Sequence, residues 1–421
     1  MGAYVGSILL SLVSVPLLVR HLGITAFGDY AAVLSLVTIV GGLTEAGLTA
    51  IAVREYALAP SDRRPALLAN LLGIRLVLGI AGVAVAVAFA ALAGYGGALV
   101  AGTALAGVGM LIILSQTLLT VPLQVELRQG WVSLLEVLRQ FIAVALIVTL
   151  VAVGAGVAPF LAVTIPAGAA ALVVTVILVR GDVPLRPAFH LGTWWPLVRD
   201  SVPYALAIAL NAMYLRIAIV VMSVIATGLQ TGYFAASFRI LETLVGIPAL
   251  VIGAAFPILT RAVRDDAGRF ASATGRIFEL GVIVGSWMAI CVVISAPLAI
   301  RLVGGAAAAP AVPVLRIQGF ALAATFVIVA CGYPLLAERR YREVLLANVV
   351  GLAASVGLTF ALVPAFAAKG AAVATVASEF ALAAASAVLL SRSQRGVALP
   401  WRGVPRVVLA AAAALGAGLV A

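Results

Sequence analysis

Long uninterrupted apolar runs separated by short polar intervals dominate this chain. A helix needs ~20 apolar residues to cross ~30 Å of hydrocarbon at 1.5 Å per residue. The strands of a membrane barrel would instead alternate apolar and polar side chains over ~10-residue segments. The runs here are continuous, so they predict transmembrane helices, each satisfying its backbone polar groups within its own segment. Twelve runs are long enough: 2–19, 30–53, 67–92, 98–125, 131–153, 158–179, 202–226, 234–259, 278–303, 312–336, 344–365 and 370–391. A thirteenth, 407–421, would reach only ~22 Å as a helix and is expected to be a partial span or an interfacial segment. The opening run lacks a basic lead and a small-residue cleavage site, so it is expected to be the first span and not a removed signal. The predicted fold class is an all-α polytopic membrane protein.

Composition supports this reading. Of 421 residues, 64% are hydrophobic and 10% charged, and the mean hydropathy is +1.24. A soluble domain carries about 25% charged residues, so this chain cannot cover a water-facing surface.

Charge then supplies an orientation. Eighteen of the 26 basic residues lie in loops after even-numbered spans, from Arg54, Arg63 and Arg64 to Arg392, Arg395, Arg402 and Arg406. Loops after odd-numbered spans hold only Arg20, Arg301 and Lys369. By the positive-inside rule the even loops, and hence the N-terminus, are expected to be cytoplasmic in a plasma-membrane protein. The net charge of +11 is thereby accounted for by topology and by anionic lipid headgroups, without a nucleic-acid partner. The loops are too short for an extramembrane catalytic domain, so a membrane polymerase or ligase is disfavoured and no enzyme is expected.

Cofactor chemistry has little to stand on. Cys291 and Cys331 both fall in apolar runs and read as small packing residues. His21 and His190 lie far apart, both in expected loops, and neither has the neighbours of a metal site. No cofactor is expected.

The two halves resemble each other. HLGITAFGDYAAVLSLVTIVGGL, at the junction of spans 1 and 2, parallels IATGLQTGYFAASFRILETLVGI at that of spans 7 and 8, with Gly23 against Gly228 and Tyr30 against Tyr233. Trp131 and Tyr341 form a second match, again six spans apart. An even number of spans preserves orientation, which makes this a parallel repeat about an axis along the membrane normal. The expected organisation is one six-helix lobe at 1–180, a cytoplasmic linker at 181–200, a second lobe at 201–391, and a loop with a partial helix at 392–421.

Four stretches carry a family resemblance. They are PLLVRHLGITAFGDYAAVLSL from Pro16, IPALVIGAAFPILTRAVRDD from Ile247, PLAIRLVGGAAAAPAVPVLRI from Pro297, and ERRYREVLLANVVGLAASVGLTFALVPAFAAKGAAVATVASEF from Glu338. In their order and spacing the chain resembles the polysaccharide (O-antigen type) flippases of the multidrug/oligosaccharidyl-lipid/polysaccharide exporter superfamily. The resemblance implies two pseudo-symmetric six-helix lobes around a central cavity that opens alternately to either side. The implied cargo is a polyprenyl-diphosphate-linked oligosaccharide moved from the inner to the outer leaflet. Membrane lipids and polysaccharide polymerase machinery are the implied partners. Two departures stand out: many such flippases have fourteen spans, and the glycine often found before GlyAlaAla is replaced here by Ala368 or Lys369.

A diphosphate crossing a low-dielectric region needs cations, and arginine offers paired donors matched to phosphate oxygens. An arginine at a helix centre costs ~2.5–3.5 kcal/mol to insert, so one kept there is a functional candidate. Five arginines lie within spans. Arg216 is the deepest, ~21 Å from the cytoplasmic end of its span, and is the first choice for a cavity cation. Arg75 and Arg139 lie ~12 Å in, where snorkelling is an alternative. Arg139 can pair with Glu136 and Arg239 with Glu242, each at three residues' spacing on one helix face. Arg316, near a span end, is expected to snorkel. Asn211, five residues before Arg216, can hydrogen-bond sugar or phosphate, or tie its span to a neighbour. Glu45 and Glu379 are candidates for coupling to an ion gradient, with a structural role as the alternative. Pro248 is expected to kink its span. The rival function is a drug or cation antiporter of the same superfamily, for which deep carboxylates would matter more than arginines.

Overall fold

The computed structural model describes residues 2–45, 47–180, 186–393 and 399–420. Side chains at 2–12 and at several other positions, mainly between 191 and 212 and including Asn211, lie outside that description. The chain forms two compact units, Met1–Val220 and Val221–Ala421. Every regular element among the described residues is helical.

The first unit contains α1 (Gly2–Glu45), α2 (Leu48–Leu58), α3 (Arg64–Leu92), α4 (Gly97–Leu119), α5 (Val121–Val125), α6 (Gln129–Ala152), α7 (Val157–Ala162), α8 (Thr164–Val179) and most of α9 (Leu191–Ile225). α4 packs between α3 and α8, and α1 lies against α3, α4 and α6. A dry cluster forms where Leu48, Ala52 and Tyr56 of α2 meet Leu68, Leu71, Leu72 and Ile74 of α3, with Leu118, Leu119 and Leu123 closing it.

The second unit holds α10 (Gly228–Gly253), α11 (Phe256–Asp265), α12 (Ala267–Gly304), α13 (Val312–Gly319), α14 (Ala321–Ala337), α15 (Tyr341–Ser391) and α16 (Val404–Val420). Here α14 packs between α12 and α15. Leu259, Phe270, Phe278, Cys331, Leu335 and Leu390 form its buried cluster. Large apolar side chains that face outward, such as Ile80, Val85, Phe141, Trp287 and Phe366, suit a hydrocarbon surround where they would be a liability in water. Cys291 belongs to this outward set, whereas Cys331 is buried, so only the second is a core packing residue.

Nine helical stretches among the described residues are long and apolar enough to cross a membrane. Two of these, Val13–Leu58 and Tyr341–Ser391, contain 46 and 51 residues, ~69 and ~77 Å if straight, more than twice the hydrocarbon thickness. Each carries an internal break. In α1 it falls at Gly23 (φ 75, ψ 164), inside the motif HLGITAFG, and only glycine holds that backbone without strain. His21, expected in a loop, is helical just before this break, and its Nε2 lies 2.8 Å from the Ala155 carbonyl.

The break in α15 falls at Ala367 (φ 48, ψ −131), three residues before Gly370 of the GlyAlaAla motif and in a backbone region suited to glycine. The Gln230 side chain accepts from the Ala368 backbone N–H at 3.3 Å, satisfying a donor that the break frees. Ala367→Gly is expected to raise stability by about 1 kcal/mol, the relieved strain exceeding the entropy cost of glycine. A lower midpoint in thermal unfolding of the purified protein would refute that assignment.

Prolines start several helices: Pro122 begins α5, Pro257 begins α11 and Pro313 begins α13. Proline lacks the donor that a helix's first turn leaves unused. α10 runs helically through Pro248.

Candidate functional site

Sequence places Glu45 and Arg75 thirty residues apart on different spans; the fold brings them together. α1 ends at Glu45, and α2 restarts after Gly47, which takes a left-handed φ of 65°. The Glu45 carboxylate covers the exposed amides of this restart. Its Oε2 accepts from Gly47 N at 2.8 Å and its Oε1 from Thr49 N at 3.2 Å. A carboxylate here also complements the positive end of the α2 dipole.

Arg75, from the middle of α3, reaches the same place. Its Nη2 donates to Thr49 Oγ1 at 2.9 Å and lies 3.6 Å from Glu45 Oε1. The side chain is 0% exposed, against 20% for Glu45. Among the described residues, its Nε and Nη1 are buried without a hydrogen-bond partner. Arg75 is therefore half used: one edge is balanced by Glu45 and Thr49, and the other presents buried donors. Small residues let the helices approach here; a side chain at Gly82 would meet Thr44 Cγ2 at 2.5 Å.

One turn before Arg75, α3 holds a strap of chain. Ala188 N donates to the Ala69 carbonyl at 2.9 Å, while His190 N and Trp194 Nε1 both donate to Asn70 Oδ1 at 3.3 Å. Gly73 clears the way, since a Cβ there would lie 2.1 Å from the Ala188 carbonyl oxygen. Residues 188–194 are thus fastened to the helix that carries Arg75.

The other candidates stand on separate elements. Arg216 is half-buried on α9. Met213, Ile217 and Val220 of α9 pack on Leu36, Ile39, Val40, Ala86 and Ala90, and helical spacing sets Arg216 on the flank of that stripe. Arg139 pairs with Glu136 along α6. Arg239 pairs with Glu242 along α10 at 2.7 Å, both partly exposed. Arg316 is half-buried on α13 with its Nε enclosed, so it is not simply drawn out to the interface. Glu379 is buried on α15, where the Thr325 hydroxyl lies 3.2 Å from its Oε2. Asn211 falls on α9, with its side chain outside the described residues.

Sequence reasoning missed Thr49 and Thr325 as partners and the strap on Asn70. The glycines around Glu45 were the available signal for the helix break, but nothing in one sequence tells which helices face each other.

Residues 1–263 match the family of polysaccharide biosynthesis proteins. The chain belongs to this family. Among solved structures, this polysaccharide biosynthesis protein resembles the lipid II flippase MurJ in an inward closed conformation, with a TM-score of 0.81 and 13% identity over 99% of this chain and 91% of that one. It also resembles an inward-facing multidrug resistance MATE transporter of the MOP superfamily, with a TM-score of 0.74 and 14% identity over 96% and 94% of the two chains. A MOP superfamily transporter from Pyrococcus furiosus matches at a TM-score of 0.56 and 16% identity over 98% and 96%. No curated protein matches in sequence. At these identities the structural likenesses establish a MATE/MurJ-like fold for this multi-pass membrane protein.

Proposed function

We propose that this polysaccharide biosynthesis protein flips a polyprenyl-diphosphate-linked oligosaccharide from the inner to the outer leaflet by alternating access. In this reading the two broken helices each cross the membrane twice and α9 supplies a further crossing. That makes twelve spans in two six-helix lobes, 1–180 and 201–391, with the N-terminus in the cytoplasm. The observation that carries the proposal is Arg75: a guanidinium sealed within a span, with one edge balanced by Glu45 and the other without a partner among the described residues. Buried donors without partners cost ~1–3 kcal/mol each. A phosphate oxygen can take them up once α2 moves about the break at Gly47. Arg216 is the second cation of the path, and Asn211, Arg139 and Arg239 are its further polar candidates. Glu45 and Glu379 are the groups through which an ion gradient could act. Family membership and the likeness to a lipid II flippase support a lipid-linked cargo.

The residue-level test uses a strain that depends on this protein for surface polysaccharide. Arg216→Ala is expected to abolish export at normal protein level, and Arg216→Lys to restore part of it. Full export by Arg216→Ala at normal level would remove Arg216 from the mechanism.

A further inference from the structure

We propose that the cleft between α11 and α12 binds the phosphate-bearing headgroup of an anionic membrane phospholipid. The cleft measures about 870 Å³, and Arg261, Arg269 and Arg276 line it together with Asp266, Ser272 and Ile258. Its position, charge and shape each bear on the occupant.

Position comes first. α11 follows directly on α10 and is strongly two-faced. Leu259 and Ala262 are buried in the cluster of the second unit, while Arg261 and Arg264 are exposed. Ile258 is 61% exposed beside Arg261, an apolar side chain set out among cations as on a helix lying in the membrane interface. α12 begins in the cleft and runs into a long apolar segment from Phe278, two residues beyond Arg276. The cleft therefore lies at the level where headgroups meet hydrocarbon.

Charge separates this cleft from an ordinary basic loop. Neither Arg261, Arg269 nor Arg276 makes an ion pair among the described residues. The one acid lining the cleft among the described residues, Asp266, is already committed: its Oδ1 accepts from Gly268 N at 2.7 Å and Arg269 N at 3.3 Å as the N-cap of α12. Among the described residues, three guanidiniums thus face a single carboxylate that is held to the backbone. Topology alone needs positive loops but does not require their charges to line one cleft.

Shape completes the argument. Arg269, Ser272 and Arg276 lie at i, i+3 and i+7 on one face of α12, with Arg261 opposite on α11. Two arginine forks and a hydroxyl spaced along ~10 Å of helix match a phosphodiester with a polar headgroup beyond it. A free phosphate would leave most of the volume empty and would gain nothing from Ile258.

The test is native mass spectrometry of the full chain in detergent, titrated with dioctanoyl phosphatidylglycerol, dioctanoyl phosphatidylcholine or inorganic phosphate. Phosphatidylglycerol should bind the wild type, and R261Q/R269Q/R276Q should weaken it at least ~tenfold, since each lost charge-assisted bond is worth about that factor. Phosphatidylcholine should bind both proteins alike. The three side chains are exposed, so the variant should unfold at the wild-type temperature; should it fail to express, Arg276→Gln alone should still weaken binding at least ~threefold. Equal phosphatidylglycerol affinity in wild type and variant would overturn the proposal. Inorganic phosphate binding as tightly as the lipid would overturn it too, marking a free-anion site. The readout is binding, so it stands or falls independently of transport.

Discussion

Arg75→Ala should destabilise the purified protein by about 3–5 kcal/mol, the cost of removing one partner from a buried ion pair. The size follows from what remains. Glu45 would keep the amides of Gly47 and Thr49 but lose its counter-charge, and a space the size of an arginine would open beneath α2. Glu45→Gln should cost less, because the single amide oxygen still accepts from one of those N–H groups while Arg75 keeps Thr49. The double variant Arg75→Met/Glu45→Gln should recover part of the Arg75→Ala loss, since no buried charge remains and the methionine fills the space. Denaturant unfolding in detergent would measure all three. An Arg75→Ala protein within ~1 kcal/mol of wild type would show that no buried ion pair exists there.

Gly370→Ala should cost about 1–3 kcal/mol, and Gly370→Val more, by overpacking against backbone that has no rotamer to yield. A Cβ at Gly370 would lie 2.4 Å from the Leu362 carbonyl oxygen and 2.7 Å from its carbon. The two arms of α15 meet closely here, just past the break at Ala367. Gly23 makes a useful contrast. It is also at a break, but no described atom lies within 4 Å of its would-be Cβ, so only the glycine-favouring backbone opposes Gly23→Ala, at ~1–3 kcal/mol. Adding bulk should therefore worsen Gly370 steeply and Gly23 hardly at all. Thermal unfolding of alanine and valine variants at both sites gives the comparison, and equal slopes would contradict it.

What the chain disclosed about itself depended on the range of the interaction. Apolar runs report local solvent preference, and each of the thirteen runs is mostly helical where the structure describes it, although turns at Gly47, Thr120, Val163, Ala254 and Phe320 divide several of them. Spacings of three residues report a shared helix face, and Glu136 with Arg139 and Arg239 with Glu242 pair as that spacing predicts. Contacts between helices leave no such periodic trace. Sequence offers Glu45 as an ion-coupling candidate and Arg75 as a side chain able to snorkel, yet in the first unit the fully buried Arg75 lies against a Glu45 that is 20% exposed. Depth along a span ranked Arg216 ahead of Arg75, because depth is a one-dimensional measure while burial depends on which helices close around a residue. The arginines of α11 and α12 had been absorbed into topology, since counting charges in loops cannot tell that three of them line one cleft. The breaks at Gly23 and Ala367 show a further limit: the run boundaries between spans 1 and 2, and between 11 and 12, are marked by single residues of positive φ within helix, not by polar loops.

The central claim is the movement of a lipid-linked oligosaccharide, and reconstitution tests it directly. The protein would be placed in liposomes carrying a fluorescent polyprenyl-diphosphate oligosaccharide in both leaflets, with a membrane-impermeant glycosidase added outside. The account predicts that the wild type exposes nearly all of the labelled sugar to the enzyme, while protein-free liposomes protect the inner half. Protection of the inner half by active wild-type protein, together with uptake of organic cations into the same liposomes, would contradict it and make the chain an antiporter.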